Sequence, residues 1–302
     1  MGRNLNGRSR AGIILLNRGE PIYQKNVTIS ETNHTVVMRQ IIYFSAFVFF
    51  LFSCSQGNQF SEPVSEKVAP EEVKILEKLN LSPPDSNTTL NYGTDTKPFF
   101  GRLNQFRNLY FEKKPEFSLE DFEEEWNDVS AKINPSILDN EDAKTWFEMN
   151  GTLLQITGKA RYAEVMENIL LHGFHPKNEH EYKEIEKLVA PYIFTKNVDH
   201  IHVNLFTPAE IDYEHTLHGK VKIWQETNYP ETEDMSLKFS MEARRYIEVF
   251  VRIPEWAEGA TVTVKGVKYF APPGDYACIS KKWKEGDVVE IHFPKSRKVA
   301  HL

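Results

Sequence analysis

Three sets of residues in this chain carry side chains suited to chemistry. The first is the run of carboxylates Glu123, Glu124 and Glu125. Glycoside hydrolysis needs two carboxyl groups flanking the scissile bond, so an acidic cluster raises that assignment. These three stand near the start of a helical pattern, however, where carboxylates complement the helix dipole and face water. The second set is His200 and His202, alternate residues of a strand-like run, which share one face at a spacing that can hold a metal. No third ligand is placed beside them, so they read as polar residues on an exposed strand face. The third set is the two cysteines, Cys54 and Cys278. Two are too few for a disulfide framework or a cysteine-based zinc cluster. With no nucleophile beside a base and no glycine-rich phosphate loop, the sequence assigns no catalytic residue, no metal ligands and no cofactor, and it leaves the substrate-binding residues unknown.

Cys54 has a setting of its own. Met38-Arg39, the apolar run Ile41 to Phe52, and Ser53-Cys54 follow the order of a bacterial lipoprotein signal: a charged start, an apolar core and a small residue before a cysteine. The box Leu51-Phe52-Ser53-Cys54 departs from that pattern at Phe52, where a smaller residue is usual. A bilayer-spanning helix needs about twenty apolar residues, and this run is shorter. Cys54 is therefore expected to be lipidated, with a plain anchor or an ordinary cleaved signal as the competing readings. Met38 is then the expected start, and the chain is expected in the bacterial cell envelope, lipid-anchored on the periplasmic side or in the outer membrane. A lipidated Cys54 cannot pair with Cys278, which is expected to be a free, buried strand residue.

The rest of the sequence describes what would position such groups. The chain has 302 residues, 40% apolar and 12% aromatic, enough for a substantial core in one or two domains. Its net charge of -7 and the lack of a basic stripe argue against nucleic acid as a partner. Residues 55–69 are polar and suit a tether. Glu71 to Leu79 reads as a short helix, and Ser82 to Asn87 as a break. The aromatics Tyr92, Phe99, Phe100, Phe106, Tyr110, Phe111 and Phe117 read mainly as core. Ser118 caps a helix with Leu119, Phe122, Trp126, Val129 and Ile133 on one stripe. Glu141 to Phe174 reads as a helical hairpin turning at Gly158. Glu181 to Val189 is a further helix, closed by Pro191.

From there the period changes to two. His200 to Leu205, Lys220 to Glu226 and Ser236 to Met241 alternate as strands, as do Tyr246 to Ile253, with Ile247, Val249, Val251 and Ile253 on one face. Turns at Glu258-Gly259 and Lys265-Gly266, then strand-like runs Asp275 to Ser280 and Val288 to Phe293, complete the pattern of a sandwich or barrel.

The words RIPEWAEGATVTVKG and GDYACISKKWKEGDVVEIHFP resemble the carboxy-terminal β-domain of the β-L-arabinofuranosidase-like glycoside hydrolases (family 127). YIFTKNVDHIHVNLFTPAEI and GKVKIWQETNYP resemble earlier parts of that domain. LLQITGKARYAEVMENILLHGF resembles the last hairpin of the family's catalytic helical barrel. The resemblance implies a zinc site built from a glutamate-threonine-cysteine word and a cysteine pair, one cysteine being the nucleophile. Counting from Gly158 and Tyr192 places those words at Asp139-Asn140-Glu141 and near His175 to Asn178, and neither holds a cysteine. Most of the preceding barrel is also absent, so the resemblance spans roughly Asp139 to Leu302.

The expected fold class is α+β, an N-terminal helical segment and helical hairpin followed by an antiparallel β-sandwich. The expected divisions are 1–54, upstream extension and signal; 55–69, tether; 70–138, an aromatic-rich, partly helical segment; 139–195, the hairpin and following helix; and 196–302, the β-sandwich. The expected function is that of an exported, noncatalytic, carbohydrate-related lipoprotein whose partner is a glycan or a cell-envelope protein, with the membrane met through the lipid. An active glycoside hydrolase using unidentified carboxylates, or a gene fragment without function, are the alternatives.

Overall fold

The computed structural model describes residues 63–81, 97–217 and 219–294. The signal-like stretch and Cys54 lie outside the described residues, as do Tyr92 and residues 55–62 of the expected tether. Two short strands come first, β1 (Glu66–Lys67) and β2 (Val73–Ile75), then five helices: α1 (Lys97–Phe111), α2 (Leu119–Ser130), α3 (Asn140–Thr157), α4 (Ala160–His172) and α5 (Glu179–Ile193). Ten strands follow: β3 (Phe194–Lys196), β4 (His200–Val203), β5 (Ala209–Glu214), β6 (Lys220–Thr227), β7 (Asp234–Met241), β8 (Arg245–Ile253), β9 (Thr261–Val264), β10 (Val267–Tyr269), β11 (Asp275–Trp283) and β12 (Val288–His292). The fold class is α+β.

Local chemistry explains the helices. The Ser118 side chain accepts the Asp121 N–H at 3.2 Å and starts α2, which buries Phe122, Trp126 and Val129. Asp139 caps α3 in the same way. Gly158 ends α3 with φ +66°, and its N–H reaches the Leu154 carbonyl. A side chain there would also meet Val64, whose Cγ1 lies 2.8 Å from where a Cβ would stand. The hairpin core is aromatic. Trp126 lies edge-on to Tyr162 at 4.9 Å and stacks on Trp146 at 6.1 Å, and Phe100 packs on the far side of Trp146 at 5.9 Å. Helix α5 runs past Pro191 to Ile193, beyond the expected stop. Pro191 sits in the last turn, where its missing N–H removes a single helical bond, and Tyr192 and Ile193 are buried.

One sheet has the order β1-β3-β4-β8-β11 and the other β10-β9-β12-β7-β6-β5-β2. Ile247, Val249, Val251 and Ile253 of β8 turn inward as their alternation requires. The sheets meet face to face where Phe239 of β7 stacks on Trp283 of β11, with ring centroids 4.0 Å apart. The ladders are antiparallel except for β4 with β8, where His200 stands opposite Glu248 and Val203 opposite Val251. The expected antiparallel sandwich is thus a mixed one, because the chain crosses to the second sheet for β5 to β7 before returning.

Three further expectations change. Glu71 to Leu79 is not a helix: Val73–Ile75 forms an edge strand on β5, three residues being too few for periodicity to decide between the two. The last residues of the expected tether belong to the fold, since β1 pairs with β3 and the Ser65 hydroxyl bonds Thr195 at 3.0 Å. Cys278 is exposed rather than buried, because Ala277 and Ile279 take the inward positions of β11 on either side of it.

Candidate functional site

The two stretches to which the resemblance assigned zinc and nucleophile lie side by side. Asp139, Asn140 and Glu141 open α3, and the loop from Gly173 to Asn178 returns to them before α5 begins. Asn140 closes the contact. Its amide Nδ2 donates to the His175 carbonyl at 3.0 Å and to Glu181 Oε2 at 3.1 Å, while its Oδ1 accepts the His175 N–H at 2.8 Å. Glu181 also accepts the Lys177 N–H at 2.9 Å and an Asn178 amide hydrogen at 3.3 Å. A cavity of about 380 Å³ opens beside them, lined by Asp139, Asn140, Glu141, Lys144, His175 and Lys177, among others.

These residues do not fit a zinc–thiolate centre. No sulfur stands there, both ends of the Asn140 amide are engaged, and both Glu181 oxygens already accept N–H groups. A neutral amide cannot replace a thiolate as nucleophile or soft ligand. Among the described residues no group of three or more histidine, cysteine, aspartate or glutamate side chains is placed to hold a metal ion. Cys278, on β11, is remote in sequence, and the partial covering of its thiol, followed by the Glu248 charge, raises its pKa, the reverse of activation.

The other candidates are dispersed. Glu123 does not simply face water. It takes Lys159 Nζ at 2.6 Å, Arg161 Nη2 at 2.7 Å and the Tyr162 hydroxyl, and so ties α2 to the start of α4. Burial alone would raise the Glu123 pKa, but the Lys159 and Tyr162 hydrogen bonds and the neighbouring cations bring it below the usual value. Glu125 pairs with Arg102 at 2.6 Å. His200 and His202 share a face, but only His200 is partly exposed, 3.2 Å from Glu248. His202 is 4% exposed and stacks on Phe250 at 4.5 Å, with Tyr276 edge-on. Burial, then the nearby His200, lowers its pKa to about 4, so its ring is neutral at pH 7. Its expected exposure fails because Phe250 stands directly opposite it across the parallel pairing.

The most consequential polar group was not singled out from sequence. Arg252, 0% exposed, leaves β8 on the face that meets α4. Its Nη1 pairs with Glu164, its Nη2 lies 2.6 Å from Glu167 Oε1, and its Nε donates to the Asn204 carbonyl at 2.7 Å. Tyr229 donates to Glu167 at 3.1 Å and Tyr276 to Asn204 at 2.6 Å. Burial raises the Glu164 pKa, an effect that Arg252 counters only in part; burial would lower the Arg252 pKa, but the two carboxylates reverse the sign. Glutamates three apart on a helix opposite a strand arginine were the available signal. This carboxylate pair is committed to one guanidinium and does not flank an open bond.

A family model described as "Beta-L-arabinofuranosidase, GH127 middle domain" matches residues 200–295, from the start of β4 to just past β12. The chain's resemblance to the GH127 β-L-arabinofuranosidase family thus lies in its two-sheet region. No curated protein matches. Among solved structures, a GH127 β-L-arabinofuranosidase from Geobacillus stearothermophilus T6 is 26% identical with a TM-score of 0.43, over 50% of this chain and 31% of that one. A protein described as a glycoside hydrolase is 23% identical with a TM-score of 0.45, over 50% of this chain and 32% of its own. A GH127 β-arabinofuranosidase is 24% identical with a TM-score of 0.45, over 50% and 31%. The chain spans about a third of the length of these structures.

The Asn140 contact makes a direct prediction. Asn140→Ala removes bonds that hold the loop to α3 and should cost about 1–3 kcal/mol. Asn140→Asp should cost more, because a carboxylate cannot donate to the His175 carbonyl and would face Glu181. Urea unfolding midpoints of the three proteins measure this; equal midpoints would show that the contact holds nothing.

Proposed function

We propose that this chain is a noncatalytic, carbohydrate-related protein that keeps a helical hairpin and the two-sheet body of a GH127-type glycoside hydrolase and binds glycan without cleaving it. The observation that carries this reading is Asn140. Where the resemblance implies a cysteine ligand and a neighbouring thiolate nucleophile, an amide bonds the His175 backbone and Glu181. The carboxylates packed around the helical hairpin are bound to cations: Glu164 and Glu167 to Arg252, and Glu123 to Lys159 and Arg161. A general acid or a nucleophile needs a free face toward the substrate, which such pairing removes.

The same proposal places the chain on the cell envelope through a lipid on Cys54, on the strength of the charged start, apolar run and Ser53-Cys54 order. A single chain gives weak membrane attachment, so a lipoprotein-type anchor, with more than one chain, is the form that would hold the protein stably.

Two measurements test the reading. Incubated with an aryl β-L-arabinofuranoside, the protein should release no aglycone above buffer, while a glycan array should show binding; turnover that follows the protein through purification would overturn it. In a bacterial host, fatty-acid labelling should mark the full chain and be abolished by Cys54→Ala. Label retained in that variant would remove the anchor.

A further inference from the structure

Two cavities meet along the seam between α4 and the second sheet. One, of about 690 Å³, lies over β7, β9 and β12, with Ser236, Thr261, Thr263, Glu290 and His292 in its lining. The other, of about 520 Å³, runs beneath α4, with Leu170, Leu171, Phe206, Tyr229 and Glu231 in its lining. They share Glu77, Pro208, Thr227 and Asn228 and so form one continuous groove. Each is within the range of about 300–1,000 Å³ usual for small-molecule sites. The Asn140 contact lies outside this groove.

The strand register arranges the polar lining in rows. Thr263 stands opposite Glu290, and Glu290 opposite Ser236; Thr261 stands opposite His292, and His292 opposite Asp234. At the seam the lining turns apolar, where Leu170, Leu171, Phe206 and Pro208 adjoin the Tyr229 hydroxyl bonded to Glu167. Acceptors outnumber donors. Gln225, 0% exposed in the wall, gives its Nε2 to the Leu205 and Thr207 carbonyls at 2.8 and 2.7 Å, and its Oε1 has no donor among the described residues.

Charge narrows the ligand class. Glu167 is paired with Arg252 and Glu226 with Lys238, and Asp234 lies 2.7 Å from His292, whereas Glu77, Glu231 and Glu290 have no ion-pair partner among the described residues; Lys78, which lies over the Tyr182 ring, is the cation in the lining that stands against them. An anionic ligand would meet that residual negative charge. A ligand rich in hydroxyl donors, with apolar C–H faces to lay on the leucines and Phe206, matches both ends. We infer that this groove binds a neutral oligosaccharide, with sugar hydroxyls donating along the Ser236, Glu290 and Asn228 side and a ring seated beneath α4. The inference rests on the carbohydrate reading above and gives it a location.

Titration calorimetry tests it with arabinan and xylan tetrasaccharides as neutral probes, a galacturonate tetramer as the acidic counterpart and octalysine as a cationic one. The proteins are the wild type, Asn228→Ala, which removes an exposed polar side chain, and Leu171→Trp, which fills the seam. Circular dichroism melts confirm that each is folded, and Asn228→Ala decides the matter if Leu171→Trp is not. The expected result is saturable binding of a neutral probe, weakened at least about tenfold in either variant, a loss of the size that one or two hydrogen bonds confer, with none for galacturonate. Neutral binding equal in all three proteins would overturn the groove and leave the carbohydrate reading standing. No binding of either neutral probe, together with a blank glycan array, would overturn both. Binding of octalysine alone would assign the groove to a cationic peptide and overturn the inference.

Discussion

A guanidinium with no exposed surface, Arg252, is the constraint around which the described body is arranged. Removing a charge from water costs several kcal/mol even after relaxation, and only close opposite charges with well-placed hydrogen bonds offset it. Both partners come from one helix: Glu164 and Glu167 of α4 reach down to β8. The hairpin therefore cannot shift across the first sheet without leaving either a cation or two anions buried and unpaired. The hydrogen bonds spread from there through Asn204 to Thr195 and on to Ser65, which fastens the segment before β1 to the same point. Phe206 closes the far side, its ring centroid 4.6 Å from the guanidinium.

The words that carry the family resemblance serve this packing. In RIPEW, Arg252 is the buried cation, Ile253 is sheet core, and Pro254 follows the strand end. Trp256 stacks on Tyr229, which in turn donates to Glu167. Trp283 fills the space between the sheets and donates to the Ile247 carbonyl at 2.8 Å. Asp287, 1% exposed, gathers Lys265 at 2.6 Å and Lys281 at 2.8 Å. Each residue does a job of packing or charge balance that persists whether or not a bond is cleaved elsewhere. The positions that the resemblance ties to chemistry, at Asp139 to Glu141 and His175 to Asn178, carry helix caps and an amide contact instead.

What could be read from sequence followed the strength of local signals. The α3–α4 hairpin, its turn at Gly158 and the alternation of β8 were legible, because caps, a left-handed glycine and a clean period of two each act within a few residues. Strands β1, β2, β3 and β10, of two or three residues each, are too short to show a period, and the alternation of Ala209, Ile211 and Tyr213 in β5 was not recognised as a strand of its own. The parallel pairing of β4 with β8 is a long-range choice that neither strand announces. That pairing buries His202 and aligns His200 with Glu248, so the histidines' surroundings were hidden with it. The alternation of β8 places Arg252 on the face opposite Ile247, Val249, Val251 and Ile253 and no more, because periodicity reports which face a residue takes, not what later covers that face. The groove along α4 was hidden for the same reason, its lining coming from segments far apart in the chain.

Hydrogen exchange by mass spectrometry on Arg252→Met tests the account most directly. If the buried cation holds the hairpin on the sheet, its loss should cost about 3–5 kcal/mol at that contact. Amides of α3 and α4 should then exchange well ahead of those in β6 and β7, which keep their own ladders and the Phe239–Trp283 stack. Unchanged protection in α4, or protection lost equally in α4 and in both strands, would contradict the claim that Arg252 is what joins the two parts.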